Sequence, residues 1–275
     1  MPSALVTGCS SGIGLAAARA LARRGWRVLA TARREDDLAR LEAEGLEPLA
    51  LELADEASVA ACAEAALERL GGAPDALVNN AACAIPGAVE DLSRAALRHQ
   101  LEVNLLGWHD LTRRLLPAML ARGSGRIVQV SSVLGLVAMP WRGAYVASKF
   151  ALEGLSDVLR QELAGTGVDV VLVEPGPVLT RFRANALAQF RRWIEPAASR
   201  HRERYARLEE KLSQEGAVVP FTATAEACAA RIVRALEARR PRARYHVTPP
   251  TYALAFLRRI LPTSALDRLL VRAGG

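Results

Sequence analysis

The sequence predicts an α/β fold, a doubly wound parallel sheet carried by one domain over residues 1–275. Three observations lead there. Six short apolar runs alternate with amphipathic helical segments, the pattern of repeated strand–helix–strand crossovers. A glycine-rich turn stands between the first apolar run and an Ala/Leu-rich helix. At 275 residues and 51% hydrophobic content, the chain is long enough for a single substantial core.

The elements follow in order. Residues 3–7 (SALVT) form a continuous apolar run, as expected of a strand buried on both faces. The next stretch, Gly8-Cys9-Ser10-Ser11-Gly12-Ile13-Gly14, spaces its glycines G-x-x-x-G-x-G and leads into a helix reaching about Arg24. Gly8 permits the tight strand-to-helix turn, and Gly12 lets backbone approach a pyrophosphate seated on the helix N-terminus. Residues 26–31 are the second strand. Dinucleotide-binding folds normally place an acid at its end to hold a ribose 2′-hydroxyl. Here the order is Ala32, Arg33, Arg34. An acid repels a 2′-phosphate and Arg pairs with it bidentately, so the reading is NADP(H) over NAD(H), with Arg33 as the main reader and Ser11 beside it.

A short helix at 38–43 precedes a third strand at 46–53, whose end, Glu52-Leu53, falls near the expected adenine position. A helix at 58–70 stops at Gly71-Gly72. The fourth strand, 75–79, leads into Asn79-Asn80-Ala81-Ala82. Residues 92–120 read as one long helix with Asn104 as a polar anomaly among Leu101, Val103, Leu105 and Leu106. Two readings stay open: an exposed Asn that bends the helix, or a carbonyl exposed for a water relay. The fifth strand, 125–130, ends at Ser131-Ser132, on the rim where α/β sheets bind ligands. The sixth, 168–173, closes with Glu174-Pro175-Gly176-Pro177-Val178-Leu179-Thr180.

Between the last two strands lies the stretch on which the chemistry depends, 143–154 (GAYVASKFALEG), read as the start of a helix. Residues four apart share a helix face, so Tyr145 and Lys149 project side by side. An ammonium beside a phenol favours the phenolate, which is expected to lower the tyrosine pKa toward working pH. Of the chain's 36 basic residues only Lys149 and Lys211 are lysines. Arg would not serve equally, because Lys is a compact point charge.

In their order and spacing, T-G-x-x-x-G-x-G (Thr7 to Gly14), N-N-A (Asn79 to Ala81), Asn104, Ser132, Y-x-x-x-K (Tyr145 to Lys149) and P-G (Pro175-Gly176) resemble the short-chain dehydrogenase/reductase family, a Rossmann-type fold. Y-V-A-S-K-F-A-L-E-G-L and V-E-P-G-P-V-L-T resemble the branch of 17β-hydroxysteroid dehydrogenase type 1 and retinol dehydrogenase. The resemblance covers about two-thirds of the chain. It implies that Tyr145 is the general acid/base and Lys149 tunes it and holds the nicotinamide ribose. It implies too that Ser132 binds the substrate oxygen and Asn104 holds a relay water. The implied cofactor set is Gly8, Ser10, Ser11, Gly12, Ile13, Gly14, Arg33, Glu52, Leu53, Asn79, Ala81, Tyr145, Lys149, Pro175, Gly176, Val178 and Thr180. Two positions depart from the family pattern, Ala82 where Gly is usual and Glu52 where Asp is usual.

Residues 1–180 are thus read as the cofactor and catalytic core. Residues 181–222, Arg-rich with Phe190, Trp193 and Tyr205, are read as a substrate lid on the family pattern. Residues 223–275 are read as C-terminal helices and an edge strand at 244–247. Within them, 252–270 is amphipathic and basic. Packing on its own domain or a partner subunit is the favoured reading, and a membrane interface is the other.

A net charge of +7 and a pI near 9.8 could suit nucleic acid. The positive charge is scattered without interleaved aromatics, so no nucleic-acid partner is expected. Cys9, Cys62, Cys83 and Cys228 lack metal-site spacing, so no metal is expected and a reducing cytoplasm fits. No charged leader precedes the first strand, and no uncharged run is long enough to span a bilayer. The expected activity interconverts a carbonyl and an alcohol on a lipophilic, steroid- or retinoid-like small molecule. The alternatives are a general carbonyl reductase and a non-catalytic NADP(H)-binding regulator. The family habit implies a homodimer or homotetramer.

Overall fold

Seven strands run parallel through the centre of the computed structural model, which describes residues 1–216 and 219–274. They are β1 (Ser3–Val6), β2 (Arg27–Ala32), β3 (Glu47–Ala50), β4 (Ala76–Asn79), β5 (Gly125–Val130), β6 (Val168–Glu174) and β7 (Arg244–His246). Their order in the sheet is β3-β2-β1-β4-β5-β6-β7. The order reverses between β1 and β4, and a crevice forms there at the C-terminal strand ends. β1, β4 and β6 are buried almost throughout, which explains their uniform apolar runs.

The helices are α1 (Gly12–Ala22), α2 (Glu35–Ala43), α3 (Glu56–Leu70), α4 (Arg94–Leu101), α5 (Gly107–Arg122), α6 (Gly143–Glu162), α7 (Phe182–Trp193), α8 (Arg202–Ser213), α9 (Ala225–Glu237), α10 (Pro249–Ile260) and α11 (Thr263–Gly274). α1 packs on α9, α3 on α5, and α4 on α6. Local sequence explains the boundaries. The Asp55 side chain accepts from the Ala57 N–H at the start of α3, and Gly71 ends that helix at φ 65°. Thr224 caps α9 in the same way through the Ala227 N–H. Arg126, on β5, donates to the carbonyls of Ala235, Leu236 and Ala238 and so ties the C-terminus of α9 to the sheet.

Two expectations change. The long helix at 92–120 is instead α4 and α5 joined by a π turn over Glu102–Leu106, and Asn104 inside that turn is fully buried. The exposed-Asn reading is therefore wrong: the side chain faces inward, bonded to a neighbouring loop, and the extra residue of the π turn aims it there. The basic tail at 252–270 is two helices rather than one stripe, because Pro262 cannot continue a helix. Its outcome is mixed. Leu254, Ala255, Leu266 and Leu270 pack beside Val133, Leu134 and Val137, while Tyr252, Phe256 and Ile260 stay exposed. The edge strand is present at Arg244–His246.

Candidate active site

The crevice between β1 and β4 opens into a cavity of about 630 Å³, running from the glycine turn to α10. The turn is built as its spacing requires. Gly8 sits at φ +74°, where a Cβ would lie 2.8 Å from Ala81. Gly12, at φ +61°, opens α1, and a Cβ there would come within 3.0 Å of Thr180. The Ser11 side chain does not cap α1. First-turn N–H groups of that helix thus lack a side-chain partner at Ser11 and suit an anion. Gly14 serves differently from the cofactor contact expected of it. It is absent from the cavity wall, and a Cβ would strike the Gly8 carbonyl at 2.3 Å and Asn80 Nδ2 at 2.6 Å, so it lets helix and turn close together.

Thr7 locks the turn to the loop after β4. Its hydroxyl oxygen accepts from the N–H groups of Asn80 and Ala81 at 2.8 and 3.0 Å, while Asn80 Nδ2 donates to the Thr7 carbonyl. Asn80, Ala81 and Ala82 line the cavity. Asn79 does not. Its amide is buried and donates to Thr112 Oγ1 on α5 at 3.0 Å, because alternation along β4 turns it to the opposite face. Ala82 has no left-handed φ, so its methyl group brings no backbone strain.

Ser132, Tyr145 and Lys149 all line the same cavity. Ser132 follows β5 directly, and its oxygen accepts from the Leu134 N–H at 3.1 Å. The Val133 N–H donates to the Pro175 carbonyl at 2.7 Å, which joins this corner to the loop after β6. Lys149 is 1% exposed. Its Nζ donates to the Val130 carbonyl at 2.9 Å and lies 4.3 Å from the centre of the Trp108 ring. Burial pushes Lys149 down to about 7, and the Glu153 carboxylate one turn along opposes that shift.

The expected depression of Tyr145 is not met in the protein alone. Burial pushes its phenol up to about 12, with the Ser132 hydroxyl pulling the other way. The reason is geometric as well. Nζ stands 5.7 Å from the Tyr145 ring centre and is engaged by Val130 and Trp108.

Asn104 lies behind the cavity wall rather than on it. Its Oδ1 accepts from the Cys83 N–H at 2.9 Å, and Nδ2 donates to the Cys83 carbonyl at 2.9 Å and to Ser148 Oγ at 3.2 Å. The Ser148 hydroxyl donates to the Tyr145 carbonyl at 2.7 Å. Asn104 thereby fixes the loop after β4 to the helix that carries Tyr145.

Three supporting residues escaped the sequence reading. Gln100 is fully buried and holds Ile85 N–H and the Cys83 carbonyl. The signal was available: Gln100 and Asn104 are four apart and so share one face with the apolar Ala96 and Trp108. Trp108, four further on, donates to the Ala81 carbonyl at 2.7 Å and covers Lys149. Arg244 reaches Glu153 at 3.0 Å, Asp157 at 2.6 Å and Glu174 at 3.2 Å. Tyr145, Lys149, Glu153 and Asp157 thus form a ladder along one face of α6, closed at its lower end by a guanidinium from β7. Glu153 is pushed up to about 7 by burial first and by Glu174 second, against the Ser131 hydroxyl and Arg244.

At the far end, Arg33 and Glu52 both line the cavity and meet each other at 3.3 Å. Ser10, Ser11, Ile13, Leu53, Pro175, Gly176, Val178 and Thr180 complete the expected lining. Gly176 is forced: a Cβ would lie 2.1 Å from Thr248 Oγ1. Arg40 on α2 donates to the Ser10 carbonyl at 2.6 Å, a contact the spacing did not suggest. Among the described residues no cluster of His, Cys, Asp and Glu is arranged for a metal.

The family model described as short chain dehydrogenase matches residues 2–190. The chain belongs to that family. This short-chain dehydrogenase is 39% identical over 268 residues to the uncharacterized oxidoreductase YbbO of Escherichia coli K12, covering 98% of this chain and 93% of that one. It is 40% identical over 195 residues to human retinol dehydrogenase 8, covering 67% of this chain and 61% of the relative. To human 17-beta-hydroxysteroid dehydrogenase type 1 it is 42% identical over 195 residues, covering 66% and 58%. A Burkholderia phymatum short chain dehydrogenase/reductase in complex with NAD superposes with a TM-score of 0.80 at 28% identity, over 94% of this chain and 92% of that one. One from Burkholderia cenocepacia in complex with NADP superposes at 0.76 and 25% identity, over 98% of both chains. The protein is therefore a nucleotide-dependent oxidoreductase that interconverts alcohols and carbonyls of small molecules with NAD(P).

Proposed function

We propose that this dehydrogenase uses NADP(H) and acts on a lipophilic carbonyl or alcohol. The observation that carries the chemistry is the convergence of Ser132, Tyr145 and Lys149 on one cavity with the glycine turn at its other end. A bound nicotinamide would supply the hydride and, in its oxidised form, a positive charge. In the reducing direction Tyr145 gives its proton to the substrate oxygen, and Ser132 holds that oxygen. Lys149, held by Val130 and Trp108, would hold the nicotinamide ribose, and the phenolate formed would favour its charged form, while Asn104 positions Tyr145 through Ser148.

The residues suit the dinucleotide. Gly8 and Gly12 leave the approach that a Cβ would fill, and the start of α1 faces the pyrophosphate position. Arg33 at the end of β2 favours a 2′-phosphate over a bare hydroxyl, and Arg40 adds a second cation beside Ser10. Glu52 competes for Arg33, so the preference is one of degree.

Apolar side chains support the substrate class. Ile85, Val133, Leu134, Met139, Phe182 and Leu254 line the wall beyond Tyr145. The lid read over residues 181–222 is supplied by α7 and α8, and residues 217 and 218 lie outside the described residues. The four free cysteines suit a reducing cytoplasm. A homodimer or homotetramer through α5 and α6 would cover the exposed Leu120, Phe150 and Val158.

The test is NADPH oxidation across ketones and aldehydes from small to steroid-sized, with Tyr145→Phe as control. Arg33→Ala should raise the NADPH KM about tenfold, the scale of one solvent-screened charge-assisted contact, and leave the NADH KM nearly unchanged. Equal effects on both cofactors would refute the preference. NADPH binding without turnover on any carbonyl would favour a regulatory role.

A further inference from the structure

α10 has two apolar faces and the fold uses one of them. Its inner side sets Leu254 and Ala255 beside Val133, Leu134 and Val137, with Thr251 buried against Thr248. On the outer side Tyr252, Phe256 and Ile260, spaced by four, form a stripe along the helix. They are 50%, 62% and 56% exposed. Tyr252 touches the edge strand, its hydroxyl donating to the His246 carbonyl at 3.2 Å and its ring meeting the His246 ring edge-on, while Phe256 and Ile260 stand apart from the core; large apolar residues repeated at helical spacing on an exposed face mark a contact surface.

The chemistry of the neighbourhood says what the contact is. Residues 249–275 carry Arg258, Arg259, Arg268 and Arg272 against the single acid Asp267. Arg258 lies over the Phe150 ring. Arg259, Arg268 and Arg272 are exposed. In a two-fold contact with a second copy, the same patch would meet itself and bring these arginines toward one another. An anionic surface instead satisfies both the arginines and the apolar stripe. Among the described residues no helix is long and apolar enough to cross a membrane, so the contact is interfacial. The place is suggestive too, since Pro250, Leu254 and Ala273 of this hairpin line the catalytic cavity.

We propose that the α10–α11 hairpin docks on an anionic phospholipid surface, with Tyr252, Phe256 and Ile260 entering the headgroup–acyl boundary and Arg259, Arg268 and Arg272 meeting lipid phosphates. The cavity mouth then stands at the layer in which apolar alcohols and carbonyls dissolve; only this last step rests on the lipophilic-substrate reading. Burial of the apolar side chains and attraction of the arginines to lipid phosphates add together in a reversible contact.

The test is sedimentation of the full chain with two vesicle preparations, phosphatidylcholine alone and phosphatidylcholine mixed equally with phosphatidylglycerol. The double variant F256S/I260S and the triple variant R259Q/R268Q/R272Q are compared with the parent chain. NADPH binding confirms that each variant is folded. The parent chain should pellet with the mixed vesicles at least tenfold more strongly than with phosphatidylcholine. The serine variant should lose at least tenfold in partitioning, and the glutamine variant should lose the preference for anionic lipid. Three results overturn the proposal: no pelleting of the parent chain, pelleting that survives the serine substitutions, or a fall in the oligomer size of F256S/I260S without lipid, which would make the stripe a contact between copies. Because the readout is binding, a failure to find any oxidisable or reducible substrate would sink the functional reading and leave this result standing.

Discussion

Replacing Asn104 with Leu removes a polar anchor while keeping an apolar side chain of similar size at the heart of the π turn. Three hydrogen bonds go with it, and their losses are unequal. The Cys83 carbonyl keeps Gln100 as a donor at 2.8 Å, and Ser148 keeps its bond to the Tyr145 carbonyl. The Cys83 N–H loses its Asn104 Oδ1 partner on a half-buried loop residue that lines the cavity. A donor stripped of its partner costs about 1–3 kcal/mol, toward the lower end where water reaches it, and each lost but compensated bond about 0.5–1.5 kcal/mol. Relief from desolvating the amide offsets part of this, so the expected loss is about 2–4 kcal/mol. For a domain of this size, each kcal/mol moves Tm by roughly 2–4 °C, which places the drop at about 5–15 °C. Thermal unfolding of the protein without cofactor measures it. Since the same side chain ties the cavity loop to the turn bearing Tyr145, kcat should fall together with Tm. A stability loss under about 1 kcal/mol would refute the positioning argument, even if activity fell.

Two further outcomes follow from buried charge and from the lid. The folded pKa of Glu153, about 7, lies above its ordinary value of 4.5. The folded chain therefore holds this proton where the unfolded chain has released it. The stabilisation is complete below about pH 4.5 and is lost as pH rises through 7, with Glu174, Asp157, Arg244 and Lys149 as the surrounding charges. Glu153→Gln cannot titrate, so its stability relative to the parent should improve by on the order of 3 kcal/mol between pH 4.5 and pH 8; a difference constant with pH would contradict this. Tyr205→Phe strips the hydroxyl that donates to Asp91 and accepts from the Ala88 N–H at 3.0 Å. Proteolysis within α8 should quicken several-fold while global stability falls by no more than about 3 kcal/mol. Unchanged cleavage would mean that other contacts hold the lid.

The sequence by itself determined the layout. Apolar runs separated by helical patterns give strands and crossovers, because backbone pairing and burial on both faces leave few other arrangements. Glycine positions were legible for the same kind of reason: Gly8 and Gly12 are needed where φ is positive and where a Cβ would collide. Tyr145 and Lys149 were legible because helix period alone puts residues four apart on one face. Tertiary structure decided what depends on contacts between distant segments. Asn79 points away from the cavity because strand alternation, set by register, turned it toward Thr112. Asn104 faces inward because a π turn, invisible to local propensity, rotated it. The electrostatics of the Tyr145 ladder rest on Arg244 and Glu174, far along the chain, and on burial that a pattern of charges cannot reveal. The tail's two faces likewise became distinct only when α10 settled on the loop after β5, which buried one stripe and left the other to solvent.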